Sequence, residues 1–220
     1  MTVVLVLITF VIFAVVDYIL SRGKVPQVAV EETQKLGLEP AFVDGFAVSG
    51  KVRYHPGHAW CMQERKHLER VGVDEFAAVV AGSVEKIELP RPGQWIRQGQ
   101  KAWAFSRNDE KVEMVSPVEG EVIEVNGEVI KDPSLLRKEP YRRGWLMVVH
   151  VPDEESTGRN LLPANLVPNW MRTAAEALYA RQPRLAGATA ADGGRPVADL
   201  TEALPGLEWR KLASEFFLTD

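Results

Sequence analysis

The chain has 220 residues, 46% of them hydrophobic and 25% charged, with a formal net charge of −4. That length accommodates one ordinary domain with extensions and a real core, and the acidic balance gives no electrostatic footing for nucleic acid. A single cysteine, Cys61, excludes an internal disulfide and suits a reducing compartment.

Residues 3–16 carry no charged side chain, and the apolar run continues through Asp17-Tyr18-Ile19-Leu20. About 18 residues at ~1.5 Å rise give roughly 27 Å, close to one hydrocarbon thickness. Residues 1–22 therefore read as a transmembrane anchor, with the bilayer as a partner through residues 3–20. Arg22 and Lys24 follow the run while no basic residue precedes it, which places the carboxyl side in the cytoplasm. A cleaved signal peptide is the rival, but a basic n-region and a small-x-small cleavage site are both lacking. The expected location is the inner, cytoplasmic membrane: a single pass with the globular part on the cytoplasmic side.

Residues 23–50 read as a tether, interrupted by Pro26 and Pro40. Residues 51–152 form the globular region. Segments 51–54, 67–73, 82–88 and 146–151 have strand character between Gly and Pro turns, and Asp74 is placed to cap a short helix with Phe76, Val79 and Val80 on one face.

Runs at 102–106 and 112–115 flank Arg107-Asn108-Asp109-Glu110, the pattern of a β-hairpin with Asn108-Asp109 at its exposed tip. Ser116-Pro117-Val118-Glu119-Gly120 then turns the chain into a strand over 121–126. In the closing region 153–181, Asn169 is placed to cap a helix to Arg181, with Trp170, Ala174, Ala177 and Leu178 on one face. Residues 182–196, rich in Ala and Gly, read as a linker. Within the last segment, 197–220, Trp209, Leu212, Ala213, Phe216 and Phe217 form a helical stripe that either folds back or docks on another protein.

The run from Gly93 through the hairpin to Ser-Pro-Val-Glu-Gly-Glu-Val-Ile-Glu-Val-Asn resembles the lipoyl-carrier fold of glycine cleavage system H proteins. Further likeness lies in His58-Ala59-Trp60 (with Ala59 for that family's acid), Gly72-Val73-Asp74, Ile87-Glu88-Leu89-Pro90, Asp132-Pro133, Pro140-Tyr141 and Gly144-Trp145-Leu146. The resemblance covers about half the chain and implies a mainly β, lipoyl/biotinyl-carrier-like flattened barrel or sandwich, a barrel-sandwich hybrid with short helices. To this the sequence adds an N-terminal transmembrane helix and C-terminal helices.

In that family a lysine on the hairpin tip carries the lipoyl arm, eight residues before the proline of the Pro-Val-x-Gly turn. Here that position is Asp109. A carboxylate has no amine to acylate, so no cofactor is expected; the fallback is lipoate on Lys111, two residues on, whose bland reading is a solvated lysine paired with Glu110 or Glu113.

His55, His58, Cys61 and His67 match no closed zinc spacing, and no nucleophile elbow, Walker loop or dinucleotide fingerprint occurs. The sequence therefore reads as a non-catalytic, membrane-anchored, non-lipoylated scaffold subunit with protein partners in a membrane complex, such as a redox assembly, and no small-molecule substrate of its own. Its partner contacts are expected at Asn108, Asp109, Glu110, Trp209, Leu212, Phe216 and Phe217. The alternatives are a glycine cleavage lipoyl carrier acting through Lys111, or a decoy regulator of lipoate-dependent enzymes.

Overall fold

The computed structural model describes residues 40–181 and 208–219. The proposed anchor, most of the tether and the 182–196 linker lie outside the described residues. Among the described residues no helix is long and apolar enough to cross a membrane.

The expected mainly β architecture with short helices is present. Strand β1 (Ala41–Val43) and β2 (Phe46–Val48) form a hairpin. A six-stranded sheet takes β3 (Arg53–Tyr54), β4 (Ala59–Arg65), β5 (Leu68–Val73), β7 (Trp95–Ile96), β10 (Gly120–Val125) and β11 (Met147–His150), in the order β3-β4-β5-β11-β10-β7. A three-stranded antiparallel sheet, ordered β6-β8-β9, joins β6 (Lys86–Glu88), β8 (Lys101–Arg107) and β9 (Glu110–Val115). Both sheets feed one core: Trp60, Val71 and Met147 from the larger, Ile87, Phe105 and Met114 from the smaller.

Helix α1 (Glu75–Ala81) starts where the sequence places it, because Asp74 Oδ1 accepts the Ala77 amide at 2.7 Å. The single apolar face is a correction: all seven residues are buried. One reason is the β1-β2 hairpin, which supplies a second wall. Its Ala47 amide donates to the Glu75 carboxylate at 2.6 Å, and the Phe46 and Phe76 rings lie 5.0 Å apart. Residues 40–50, taken as the end of the tether, thus belong to folded structure.

Short helices α2 (Gly127–Lys131), α3 (Leu135–Lys138) and α4 (Glu154–Arg159) fill the connections around β11. Helix α5 (Val167–Arg181) begins two residues before the expected cap Asn169. Pro168 near its start needs no amide partner there, which favours the earlier start. It buries Val167, Met171, Ala174, Ala175 and Leu178, with Trp170 and Ala177 at the margin.

Helix α6 (Trp209–Phe217) folds back onto its own chain. Trp209, Leu212, Ala213 and Phe217 are buried, and Phe216 packs half-buried against the core. Complete burial of a Leu or Phe side chain contributes about 1.5–3 kcal/mol before ordering costs, and it is this packing, not local propensity, that favours so short a helix. Trp209, Leu212, Phe216 and Phe217, expected as a partner-facing stripe, therefore serve as intramolecular packing here.

Candidate functional site: the apical hairpin

Strands β8 and β9 are amphipathic in the period-2 sense. Trp103, Phe105, Val112 and Met114 point into the core, while Ser106, Lys111 and Glu113 lie on the outer face. The last cross-strand pair is Arg107 with Glu110, which leaves Asn108-Asp109 as a two-residue loop. Both loop residues have positive φ, 45° and 60°, the signature of a type I′ turn matched to the right-handed twist of the strands. Asn108, Asp109 and Glu110 are all exposed. Asp109 thus stands at the apex, where the sequence placed it.

Lys111 does not. It pairs in register with Ser106 on the sheet face, below the turn. Its ammonium donates to the Glu88 carboxylate on β6, which also accepts from Lys86 at 2.8 Å. The expected pairing with Glu110 or Glu113 is corrected: Glu113 is taken by Lys101 at 3.1 Å. The hydrogen bond to Glu88 raises the Lys111 pKa and, with that from Lys86, holds the Glu88 carboxyl down to about 2. Lys111 is thus tied to the sheet face and not presented at the apex.

The turn that follows β9 is built as its sequence suggests. Ser116 Oγ donates to the Val118 carbonyl at 2.7 Å, and the Gln98 side-chain amide bridges the carbonyls of Pro117 and Thr157 at 2.8 and 2.9 Å. The hairpin base is therefore tied to both the preceding loop and α4.

His55, His58, Cys61 and His67 go to separate environments. His55 Nδ1 accepts the Gly57 amide at 3.1 Å. His58 Nδ1 lies 2.8 Å from Asp74 Oδ2, with its ring stacked between Phe76 at 4.2 Å and Trp170 at 4.4 Å. Cys61 is buried, and burial pushes its thiol pKa well up. His67 Nδ1 sits 3.6 Å from the Glu154 carboxylate. Arg143 is engaged with Glu128 at 2.7 Å and Glu139 at 3.3 Å.

Two arrangements escaped the sequence. Glu69 is fully buried in β5 and pairs with Arg53, while burial raises its carboxyl pKa against the pull of that guanidinium. Arg107, beside the turn, is also buried, its guanidinium 5.3 Å from the centroid of the Trp209 ring. Nothing local marks either pair, since the partners are 16 and 102 residues apart in the chain.

A sequence model described as the glycine cleavage H-protein matches residues 52–173. The glycine cleavage system H protein of Streptomyces coelicolor is 34% identical over 104 residues, 47% of this chain and 83% of that relative. That of Thermobifida fusca is 32% identical over 108 residues, 49% of this chain and 85% of the relative. A crystal structure of a glycine cleavage system H protein from Mycobacterium marinum aligns over 48% of this chain and 87% of its own, with 24% identity and a TM-score of 0.45. With the family model spanning more than half of the residues and a relative matched over most of its length, the chain belongs to the glycine cleavage H-protein family.

Proposed function

We propose that this chain is an H-protein-type docking subunit that holds partner proteins through its apical hairpin without carrying a lipoyl arm there. As a family member it is a non-catalytic, carrier-type protein. The observation that carries the reading is Asp109 at the apex, exposed and in the left-handed region, where attachment of a lipoyl group needs a lysine amine. An amide bond to lipoate requires a nucleophilic nitrogen, and the Asp109 carboxylate offers none. What remains is a projecting acidic tip of Asn108, Asp109 and Glu110, suited to a basic partner surface.

The carrier reading is favoured by a different observation, the identity with proteins named glycine cleavage system H protein. In that reading lipoate is attached to Lys111. Intact-mass measurement of the chain purified from its native cells separates the two: a stoichiometric lipoyl adduct supports the carrier, and an unmodified mass supports the docking subunit. A decoy role towards lipoate-dependent enzymes adds one requirement, capture of a glycine-cleavage enzyme by the unmodified chain in a pull-down.

The apolar run 3–20 supports a tether to the cytoplasmic membrane, which raises the effective concentration of the domain near membrane-bound partners. Retention of the full chain in membranes after alkaline extraction tests it; release into the supernatant contradicts it.

A further inference from the structure

Helix α6 lies beyond residues 52–173, the stretch matched by the family model, yet it packs along the flank of the apical hairpin and on α1. Its local signals are weak. Glu208 makes no side-chain cap bond, and Leu218 ends the helix with φ of 56°, a position usually given to glycine. Nine residues do not sustain a helix alone in water, so α6 exists because it is docked.

The docking has a definite chemistry. The Trp209 indole Nε1 donates to the Val80 carbonyl at 3.0 Å, and the Phe216 ring meets Phe76 edge-on at 5.0 Å. At the other end, a Cβ placed on Gly57 would come within 3.0 Å of both the Phe217 carbonyl oxygen and Val115 Cγ2, so the backbones approach closely there. Glu215 pairs with Arg181 at the end of α5, and that guanidinium also sits 5.3 Å from the Phe216 ring. Trp209 in turn lies against Arg107, the residue that precedes the Asn108-Asp109 turn. The helix is thus coupled directly to the hairpin tip.

We infer that the trough formed by β9, α1 and the end of α5 is a helix-binding groove, and that α6 is its reversible, own-chain occupant. While α6 is docked, the hairpin flank is closed. Release of α6 opens that flank beside the hairpin tip. The inference is independent of whether the hairpin carries an acyl group.

The test uses the full chain with a protease site introduced within residues 182–196 and a fluorophore at the carboxyl end. After cleavage, the C-terminal fragment is no longer held by covalent linkage, and docking becomes an ordinary bimolecular equilibrium. Fluorescence anisotropy is expected to show micromolar, fully reversible association, competed by an unlabelled peptide of residues 205–220. A fragment that stays bound at nanomolar dilution until the domain unfolds makes α6 an inseparable part of the core and overturns the inference. So does a fragment that fails to associate at tens of micromolar.

A second measurement needs no cleavage. Phe217→Ala in the intact chain is expected to speed amide hydrogen exchange in α6 by about tenfold or more and leave β4 and β5 unchanged. Equal acceleration in all three elements would show general loss of stability, and would count against a separately released helix.

Discussion

The Lys111 ammonium donates to the Glu88 carboxylate across the outer face of the small sheet, one strand beyond its own hairpin partner Ser106. Two consequences follow from that contact. The amine nearest the apex is engaged by a carboxylate on the sheet face, and the β6-β8-β9 sheet gains a cross-strand tie on its exposed side.

The tie gives a pH dependence with a definite sign. In the folded chain the Glu88 carboxyl is held to about 2, against 4.5 for an unperturbed glutamate. The unfolded chain binds more protons between those values, so the contribution is present above about pH 4.5 and is lost as pH falls through about 2. Denaturant unfolding of wild type and Glu88→Gln should differ at pH 6 and converge near pH 2. A difference that grows towards pH 2 contradicts the pairing.

The turn should be chemically repairable. With φ positive at both central residues and the tip exposed, Asp109→Lys places an amine at the apex. Incubated with a lipoate ligase, lipoate and ATP, this variant should gain a lipoyl adduct, whereas wild type and Lys111→Arg should both remain unmodified. Modification of wild type that disappears in Lys111→Arg would identify Lys111 as the acceptor.

Asp74 serves two groups at once, the Ala77 amide at 2.7 Å and His58 Nδ1 at 2.8 Å. Replacing it with alanine removes the cap of α1 and leaves a buried imidazole nitrogen without its carboxylate. The expected destabilisation is about 2–4 kcal/mol, combining a cap with a buried hydrogen-bond partner. Asp74→Asn retains one side-chain oxygen for the cap and should lose less. Chemical denaturation of the three proteins checks the order.

Gly72 lies under the indole of Trp60, whose Nε1 donates to the Val73 carbonyl at 2.8 Å. A Cβ at position 72 would fall 2.3 Å from Trp60 Cζ2, so Gly72→Ala must displace a buried ring. Overpacking of this kind costs about 1–3 kcal/mol, measurable as a lower denaturation midpoint at unchanged slope.

The apical hairpin was legible because its information is local: two strand-type runs flank a two-residue polar loop, and the alternation of inward residues fixes which two residues turn. The same kind of signal was present at Asp44-Gly45, with φ of 47° and 89°, between Phe42-Val43 and Phe46-Ala47-Val48. A tether reading absorbed it, since a hairpin of three-residue strands gains its stability from α1 and not from itself. The apolar stripe of α6 was legible as a stripe, but its site was not. Arg107 and Val80 meet Trp209 only after the chain has folded back. Glu69 and Glu88 were illegible as pairs for the same reason, because a charged residue in a strand normally signals the solvent face, and only tertiary structure supplies Arg53 or Lys111.

The most direct measurement is the intact mass of the full chain isolated from its own cells with lipoate supply and ligase active. The carboxylate at the apex predicts the mass of the unmodified polypeptide. A stoichiometric lipoyl adduct, mapped by fragmentation to any lysine of the chain, would contradict the account.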